Sequence, residues 1–349
     1  LDLGAGLAGA GKGGESAHGL VLGSVGWTQA DAESRALAWS AYASVLWTEG
    51  RGPTERFLGD FLAVSNSEAY QHARMYEWWT EATRGEWSVR AGALLADAEF
   101  AGTTPGGALI NSGFGWPAFL SANTVNTGPA FYAAALGTRL AYEGETTTWK
   151  LGVYDGDSFD SAAGDDRPNR HGLSYELGGR QGAFVISELN FAPGESANRY
   201  QVGAWAHTAE FTEFASGGTR SGNWGVYAAL ERTLAGKTGE AGNVEAHLRA
   251  GWAPEDRNTV AWAVDSAVAA TGLFAARPAD VTALGVVHAR LSDDLGLGSA
   301  YEQTFELSHT FVVNEYISIQ PDLQLVRHPG ADRARDDALI ALLRFSAVY

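Results

Sequence analysis

The sequence predicts an all-β protein, a transmembrane antiparallel β-barrel of about sixteen strands. Apolar and polar residues alternate with period two over most of the chain, as they do on a strand with one apolar face. The candidate strands are even in number, and the short and long connections between them fall on opposite sides. These features together are typical of bacterial outer-membrane barrels.

The last two candidate strands show the alternation most clearly. From Ile317 to Leu325, and again from Leu339 to Tyr349, every second position carries an apolar residue or proline. The second run ends on an aromatic residue, and aromatic rings favour the membrane interface. The pattern favours a barrel strand over the last hairpin of a soluble β-sandwich.

Candidate strands follow one another along the chain without a helical repeat or a linker, which predicts a single domain over residues 1–349. They span 1–8, 17–28, 35–48, 71–84, 86–96, 131–143, 146–155, 181–193, 198–209, 222–233, 241–252, 258–268, 281–292, 299–313, 316–327 and 337–349.

The connections differ in length according to their order. Short turns are predicted at 84–85, 144–145, 193–196 and 313–315, and longer connections at 97–130, 156–180, 210–221, 253–257 and 328–336. Apart from a longer connection at 270–280, turns and loops alternate. Barrels in the outer membrane have short periplasmic turns and long external loops, so the alternation favours a barrel over a soluble meander.

The two faces of the strands differ in polarity. In 299–313 the residues Tyr301, Phe305 and Leu307 lie on one face, whereas Glu302 and Glu306 lie on the other. About sixteen strands enclose a lumen too wide for side chains to fill, so water is expected inside. An apolar exterior around a polar lumen indicates a porin.

Composition excludes several other classes of protein. A net charge of -17 leaves no basic surface for nucleic acid, and the absence of cysteine excludes disulfides and thiolate metal sites. We predict no cofactor, no metal and no catalysed reaction, since neither a histidine cluster nor a nucleophile with its base is found. The aspartates of 155–166 lack the spacing of an EF-hand and are read as an acidic external loop rather than a calcium site.

The chain begins at Leu1 rather than Met, which suggests a mature form without its signal peptide.

Several stretches resemble one family, the carbohydrate-selective porins of the OprB type. They include INSGFGWP at 110–117, GVYDGD at 152–157, GAFVISELNF at 182–191 and QPDLQLVRHPG at 320–330. The resemblance extends from about residue 74 to the end. It implies a channel of the bacterial outer membrane, usually a homotrimer surrounded by lipid and lipopolysaccharide, that passes glucose and other small sugars by facilitated diffusion.

The segment after the fifth strand departs from the family. Members often carry a pattern like GKxDANxEF. In this sequence Ala93 stands in place of the basic residue of that pattern, and Leu95 stands in place of its first acid. The departure argues against a narrow basic constriction and against strict selectivity for glucose. Together with the net charge it favours the alternative, a general or cation-preferring diffusion porin without sugar selectivity.

The connection 97–130 is long and rich in Gly, Asn, Pro and Phe, and loops of this length are usually functional. We predict that it folds into the lumen and narrows it; the alternative is an external loop at the trimer contact. The pore-facing candidates in this loop are Asp97, Glu99, Asn111, Trp116, Asn123 and Asn126.

Further candidates lie on the inward faces of the strands. Arg90, Arg139 and Lys150 form a predicted basic row on three consecutive strands. Carboxylates are predicted elsewhere on the lumen face, at Glu77, Glu81, Glu188, Glu231, Glu245, Glu302, Glu306 and Asp322. Opposed charges offer hydrogen bonds that replace the water around a sugar's hydroxyls. Three inward aromatic residues, Trp79, Trp205 and Tyr227, are predicted to stack on a pyranose ring.

Two alternative functions come from other classes of protein. One is an outer-membrane enzyme built on a barrel, and the other is a structural or adhesive surface barrel whose lumen is plugged.

Overall fold

The computed structural model describes residues 1–29, 37–161, 167–178, 180–194, 197–298 and 300–349. In these ranges sixteen β-strands account for most of the chain, joined by turns, loops and a few short helices. None of the described helices is long and apolar enough to cross a membrane.

The strands are numbered in chain order. They are β1 (Asp2–Gly9), β2 (Glu15–Thr28), β3 (Ala38–Arg51), β4 (His72–Arg84), β5 (Trp87–Leu94), β6 (Ala135–Glu143), β7 (Thr147–Asp155), β8 (Ala183–Phe191), β9 (Asn198–Thr212), β10 (Thr219–Ala235), β11 (Val244–Trp252), β12 (Val260–Thr271), β13 (Val281–Leu291), β14 (Tyr301–Val312), β15 (Ile317–Arg327) and β16 (Ala338–Ala347).

Every strand pairs antiparallel with its neighbour in the sequence, and the first strand pairs with the last. Asp2 lies opposite Arg344, and Gly9 lies opposite Ala338. The sheet therefore closes on itself and leaves no free edge. The predicted fold class, an antiparallel barrel of sixteen strands, is confirmed.

Strands β9 and β10 extend beyond their predicted ends. The predicted loop 210–221 is a short connection at 213–218, and both flanking strands continue into it. The register shifts between Ser221 and Asn223, where Gly222 adopts a φ of 80°. A bulge at a glycine in the left-handed region lets the pairing continue, although the sequence there suggested a break.

The connections sort onto the two rims as expected. One rim carries the short turns 85–86, 144–146 and 313–316, and the other carries 52–71, 95–134 and 156–182 among its connections. The short-turn rim also has longer connections at 236–243 and 272–280.

The outer surface of the barrel is apolar. On β11, Leu248 is 53% exposed whereas its inward neighbour Arg249 is 0% exposed. Exposed tryptophans lie near the ends of the strands, with Trp27 and Trp39 towards the short-turn rim and Trp252 and Trp262 towards the other. An apolar band between aromatic rings is the exterior that a lipid bilayer requires.

One part of the lumen is filled by apolar side chains and the other part is polar. This corrects the expectation that water fills the whole lumen. The connection 95–134, called the lumen loop below, folds inside the barrel and packs against β8–β13. The inward residues of those strands include Phe184, Ile186, Trp205, Ala263 and Val287, and they form one hydrophobic cluster with the loop. Water can therefore occupy only the part of the lumen that the loop does not cover.

Candidate functional site

The lumen loop is built from short turns of helix joined by extended segments. These turns are Gly106–Ala108, Ser112–Phe114, Ala118–Ser121 and Val125–Thr127. The side chain of Asn111 caps the second turn by accepting a hydrogen bond from the Gly113 N–H. The predicted insertion of this loop into the lumen is confirmed.

Glycines on the inner wall allow the loop to approach the strands closely. A Cβ at Gly251 would lie 2.3 Å from the ring of Phe119, and one at Gly285 would lie 2.4 Å from Leu109 and 2.6 Å from Phe114. No side chain fits at these distances. The two glycines therefore act as sockets for apolar side chains of the loop.

A fully buried arginine on β11 holds the loop in place. The Nε of Arg249 donates to Asp265 Oδ2 at 2.9 Å, and His247 Nε2 lies 2.7 Å from Oδ1 of the same aspartate. The guanidinium also donates hydrogen bonds to four loop carbonyls, those of Ala101, Gly113, Phe114 and Gly115. A planar group with several fixed donors suits this role. Arg249 is not among the residues predicted to be functional, although the alternation in β11 places it inside.

Two of the predicted lumen carboxylates also hold the loop. Glu188 accepts hydrogen bonds from the Ala101 N–H at 2.6 Å and from the Tyr227 hydroxyl at 2.7 Å. Glu306 accepts from the N–H groups of Ile110 and Asn111. Both carboxylates face inward as predicted, but the loop covers them.

A second loop, residues 52–71 and called the rim loop below, also enters the barrel. Glu302 accepts hydrogen bonds from the Phe61 and Leu62 N–H groups, each at 2.7 Å. The rim loop also joins the lumen loop, because the Ser112 N–H donates to the Ala63 carbonyl at 2.9 Å. The sequence pattern does not predict this insertion. The length of the connection between the third and fourth candidate strands was the one available signal.

The predicted basic row exists, and acids neutralise it. Glu81 accepts from Arg90 at 3.0 Å and from Arg139 at 2.6 Å. Glu99 of the lumen loop pairs with Arg90 and Arg139, each at 2.8 Å, and with Lys150 at 3.8 Å. Arg90 and Arg139 lie directly opposite each other on β5 and β6. Like charges in that position repel, so the two acids stabilise the pair. These five residues are called the constriction cluster below.

The three aromatic candidates lie in different places. The guanidinium carbon of Arg90 sits 3.9 Å from the ring centroid of Trp79, which also stacks on Tyr42. Trp79 therefore lies beside the constriction cluster. Trp205 is 2% exposed, and Tyr227 packs on Phe119 with 5.6 Å between ring centroids. Neither of these two rings is free to stack on a sugar, because the lumen loop covers them.

Two cavities lie inside the barrel among the described residues. The larger, of about 650 Å³, lies between the rim loop, the lumen loop and the ends of the barrel wall, with Trp116 and Arg344 in its lining. The smaller, of about 370 Å³, lies near the turn 144–146, with Glu99 and Lys150 in its lining. Asp97 lines both cavities and so lies between them.

Asp97 is fixed by the backbone of its own loop. Its Oδ2 accepts a hydrogen bond from the Phe131 N–H at 2.8 Å. Burial raises the pKa of Asp97 to about 6, whereas hydrogen bonds from backbone N–H groups, Phe131 first among them, act in the opposite direction. The carboxyl group is therefore mainly ionised at pH 7.

The remaining polar candidates bond to the protein. Asn111 donates to Gln324 Oε1 at 3.1 Å, Asn123 to the Val260 carbonyl at 2.8 Å, and Asn126 to Asp157 at 2.7 Å. The other predicted carboxylates also have polar neighbours: Glu231 accepts from the Thr104 N–H, Glu245 from the Thr238 hydroxyl, and Asp322 from Gln324. The Glu77 backbone N–H donates to the Ser44 hydroxyl. These asparagines and Glu231 position the loops.

The departure from the family pattern has a structural counterpart. Ala93 and Leu95 are buried, at 1% and 5% exposure, in a cluster with Leu46, Tyr76 and Ala134. Apolar packing therefore occupies the place where relatives often carry charge.

Among the described residues, no group of three or more histidine, cysteine or acidic side chains is arranged to hold a metal ion. The acidic stretch is described only in part. Asp155, Asp157 and Asp160 lie in the described ranges, whereas Asp165 and Asp166 lie outside them. Asp157 accepts hydrogen bonds from Asn126 and from the Phe159 N–H.

Comparison with solved structures supports the fold. The high-pH structure of Pseudomonas putida OprB has a TM-score of 0.81 at 16% identity, covering 99% of this chain and 91% of that one. The low-pH structure of the same protein has a TM-score of 0.52 at 13% identity, with 99% and 89% covered. A variant of the Rh. blastica porin has a TM-score of 0.58 at 9% identity, with 99% and 96% covered.

Comparison of sequences identifies the family. A search of curated proteins found no match. A sequence model of one family, described as "Carbohydrate-selective porin, OprB family", matches residues 26–349. The match covers β3 to β16 and both loops that enter the barrel. The chain therefore belongs to the OprB family of carbohydrate-selective porins.

Proposed function

We propose that this chain lets small neutral sugars, mono- and oligosaccharides of the glucose type, diffuse across the bacterial outer membrane along a path between its two inserted loops and the wall β4–β7. The observation that carries the proposal is the constriction cluster beside Trp79. It places opposed charges and an aromatic ring on the inner wall of a barrel whose exterior is apolar.

The chemistry of the constriction suits a sugar. Hydroxyl groups both donate and accept hydrogen bonds, so Glu81 and Glu99 can accept from them while Arg90 and Lys150 donate. Trp79 adds apolar surface beside these charged groups, and its ring already contacts the Arg90 guanidinium and Tyr42. A solute that makes these contacts replaces its lost hydration, whereas a solute of equal size without hydroxyls does not.

The porin family and fold are channels rather than enzymes, and we propose that the protein catalyses no reaction and needs no cofactor. We also propose that residues 1–349 act as one barrel domain in the outer membrane, after removal of a signal peptide. The apolar exterior supports lipid and lipopolysaccharide as neighbours. We propose assembly as a homotrimer, as the family resemblance implies. Light scattering of the detergent-purified protein will measure the number of subunits.

Single-channel conductance in a planar bilayer tests the sugar path. We expect glucose and then maltose, titrated into the bath, to reduce the current with saturation, because a sugar in the constriction blocks ions. An open conductance that no sugar affects would favour a general diffusion porin. Absence of any conductance would refute both the sugar channel and the general diffusion porin as functions of this protein.

A further inference from the structure

The basic groups along the proposed path are already neutralised. The bases that line the two cavities are Lys150, Arg199 and Arg344, and each pairs with an acid: Lys150 with Glu99, Arg199 with Glu231, and Arg344 with Asp2. Arg90 and Arg139 pair within the constriction cluster. Arg74 also faces inward but is 2% exposed, and it donates to the Tyr70 hydroxyl. An anionic solute on this path meets no unpaired base among the residues described.

Two acids at the same level have no basic partner. Asp97 and Glu77 make no ion pair in the described part of the chain, and their charges lie close enough to interact with each other. Glu77 projects from the wall strand β4, and Asp97 projects from the lumen loop between the two cavities. The constriction cluster adds three bases and two acids, so these seven groups comprise four acids and three bases.

The geometry points to Asp97 as a residue that determines specificity: we propose that it makes the channel distinguish sugars by charge. Protonated amino sugars and neutral sugars pass, whereas sugar acids and sugar phosphates are retarded. The inference rests on the proposed function, because it concerns which sugars use the same path.

The physical basis is the potential inside a narrow passage. Low-dielectric walls on both sides focus the field of a buried charge and alter the local concentration of charged solutes by roughly tenfold or more. A carboxylate between two cavities acts on every solute that passes from one to the other. Salt screens such a field, since the Debye length is about 10 Å at 0.1 M and about 3 Å at 1 M.

Flux into proteoliposomes tests the inference with three sugars of the same ring size: glucosamine, glucose and glucuronate at pH 7. We expect glucosamine to enter at least about threefold faster than glucuronate in 0.1 M salt, with glucose between them, and the ratio to approach one in 1 M salt. Equal rates for glucosamine and glucuronate at low salt would overturn the inference. Failure of glucose itself to enter would instead overturn the proposed function.

The variant Asp97→Asn identifies the residue. Asparagine has nearly the same shape, and its Oδ1 can still accept from the Phe131 N–H, so the loop is expected to keep its position. The ratio of glucosamine to glucuronate flux should fall by at least half while glucose flux stays within about twofold. Glu315→Gln, an exposed acid in the turn 313–316, is the matched control and should leave the ratio unchanged. An unchanged ratio in Asp97→Asn would refute the role of this residue.

Discussion

At the scale of single residues, Arg249 explains how a long loop keeps one position inside a barrel. Its guanidinium is fully buried and bonds to Asp265 and to four carbonyls of the lumen loop. Carbonyls that bend into an apolar lumen would otherwise lack partners, and a buried unpaired carbonyl costs about 1–3 kcal/mol. One side chain thus gives four carbonyls of the loop a hydrogen-bond donor.

Replacing Arg249 with alanine tests this role. Loss of one partner of a buried ion pair costs about 3–5 kcal/mol, and Asp265 would lose its bond to Arg249 while keeping its contact with His247. We expect the loop to detach, the single-channel conductance to rise and the open current to become noisier. Arg220→Ala is the control, because that arginine pairs with Asp256 at the surface, where a pair is worth about 0–1 kcal/mol. Conductance of wild-type size and noise in Arg249→Ala would contradict the proposed role.

The close contact between Gly251 and the Phe119 ring leads to a second prediction at the scale of single residues. In Gly251→Ala the new methyl group would lie 2.3 Å from the Phe119 ring, so the loop or the strand must move. Overpacking of this kind costs about 1–3 kcal/mol. We expect the size limit for sugar uptake to change, measured with a series of oligosaccharides in liposomes.

Gly23→Ala is the control for that experiment, since a Cβ there would meet nothing within 4 Å. If both alanine variants admit the same range of oligosaccharides as the wild type, then Phe119 does not determine the width of the path.

At the scale of elements, the rim loop contains two acids that repel each other. Burial raises the pKa of Asp60 to about 6. Burial and the charge of Asp60 raise the pKa of Glu68 to about 7. Both groups therefore favour the protonated form when the loop is packed.

The packing of the rim loop should consequently depend on pH. The pKa values of the packed loop lie above those of the unpacked loop, so the stabilisation is complete below about pH 4 and is lost as the pH rises through 6 to 7. We expect hydrogen exchange of residues 52–71, corrected for intrinsic rates, to show less protection at pH 8 than at pH 5. Asp60→Asn should flatten this trend. Protection that increases with pH would contradict the expectation.

At the scale of the whole molecule, closure of the barrel depends on the contact between its first and last strands. Asp2 and Arg344 form a bidentate pair across β1 and β16, with bonds of 2.8 and 2.7 Å. Ser65 and Ser67 of the rim loop donate to the same carboxylate. Asp2 therefore stabilises both the contact between β1 and β16, called the seam below, and the position of the rim loop.

Removing this pair should destabilise the barrel as a unit. In Asp2→Asn the charge is lost, and hydrogen bonds to charged groups contribute about 1.5–3 kcal/mol. We expect a lower midpoint of thermal unfolding, followed by circular dichroism in detergent. Arg327→Gln breaks the exposed pair with Asp337 and should leave the midpoint unchanged. Equal midpoints for Asp2→Asn and the wild type would show that the seam is held by backbone bonds alone.

The sequence by itself determined the barrel, its strands and the inward row of Arg90, Arg139 and Lys150. The reason is local: side chains on a strand alternate between two faces, so the face of each residue follows from its near neighbours. The sequence also placed Glu188 and Glu302 in the lumen, but it could not assign their partners. Only the tertiary structure decided that they hold loops, because Glu188 bonds to a residue 87 positions away and Glu302 to one 241 positions away. No periodic pattern encodes contacts over such distances, and they decide how much of the lumen remains open to a sugar.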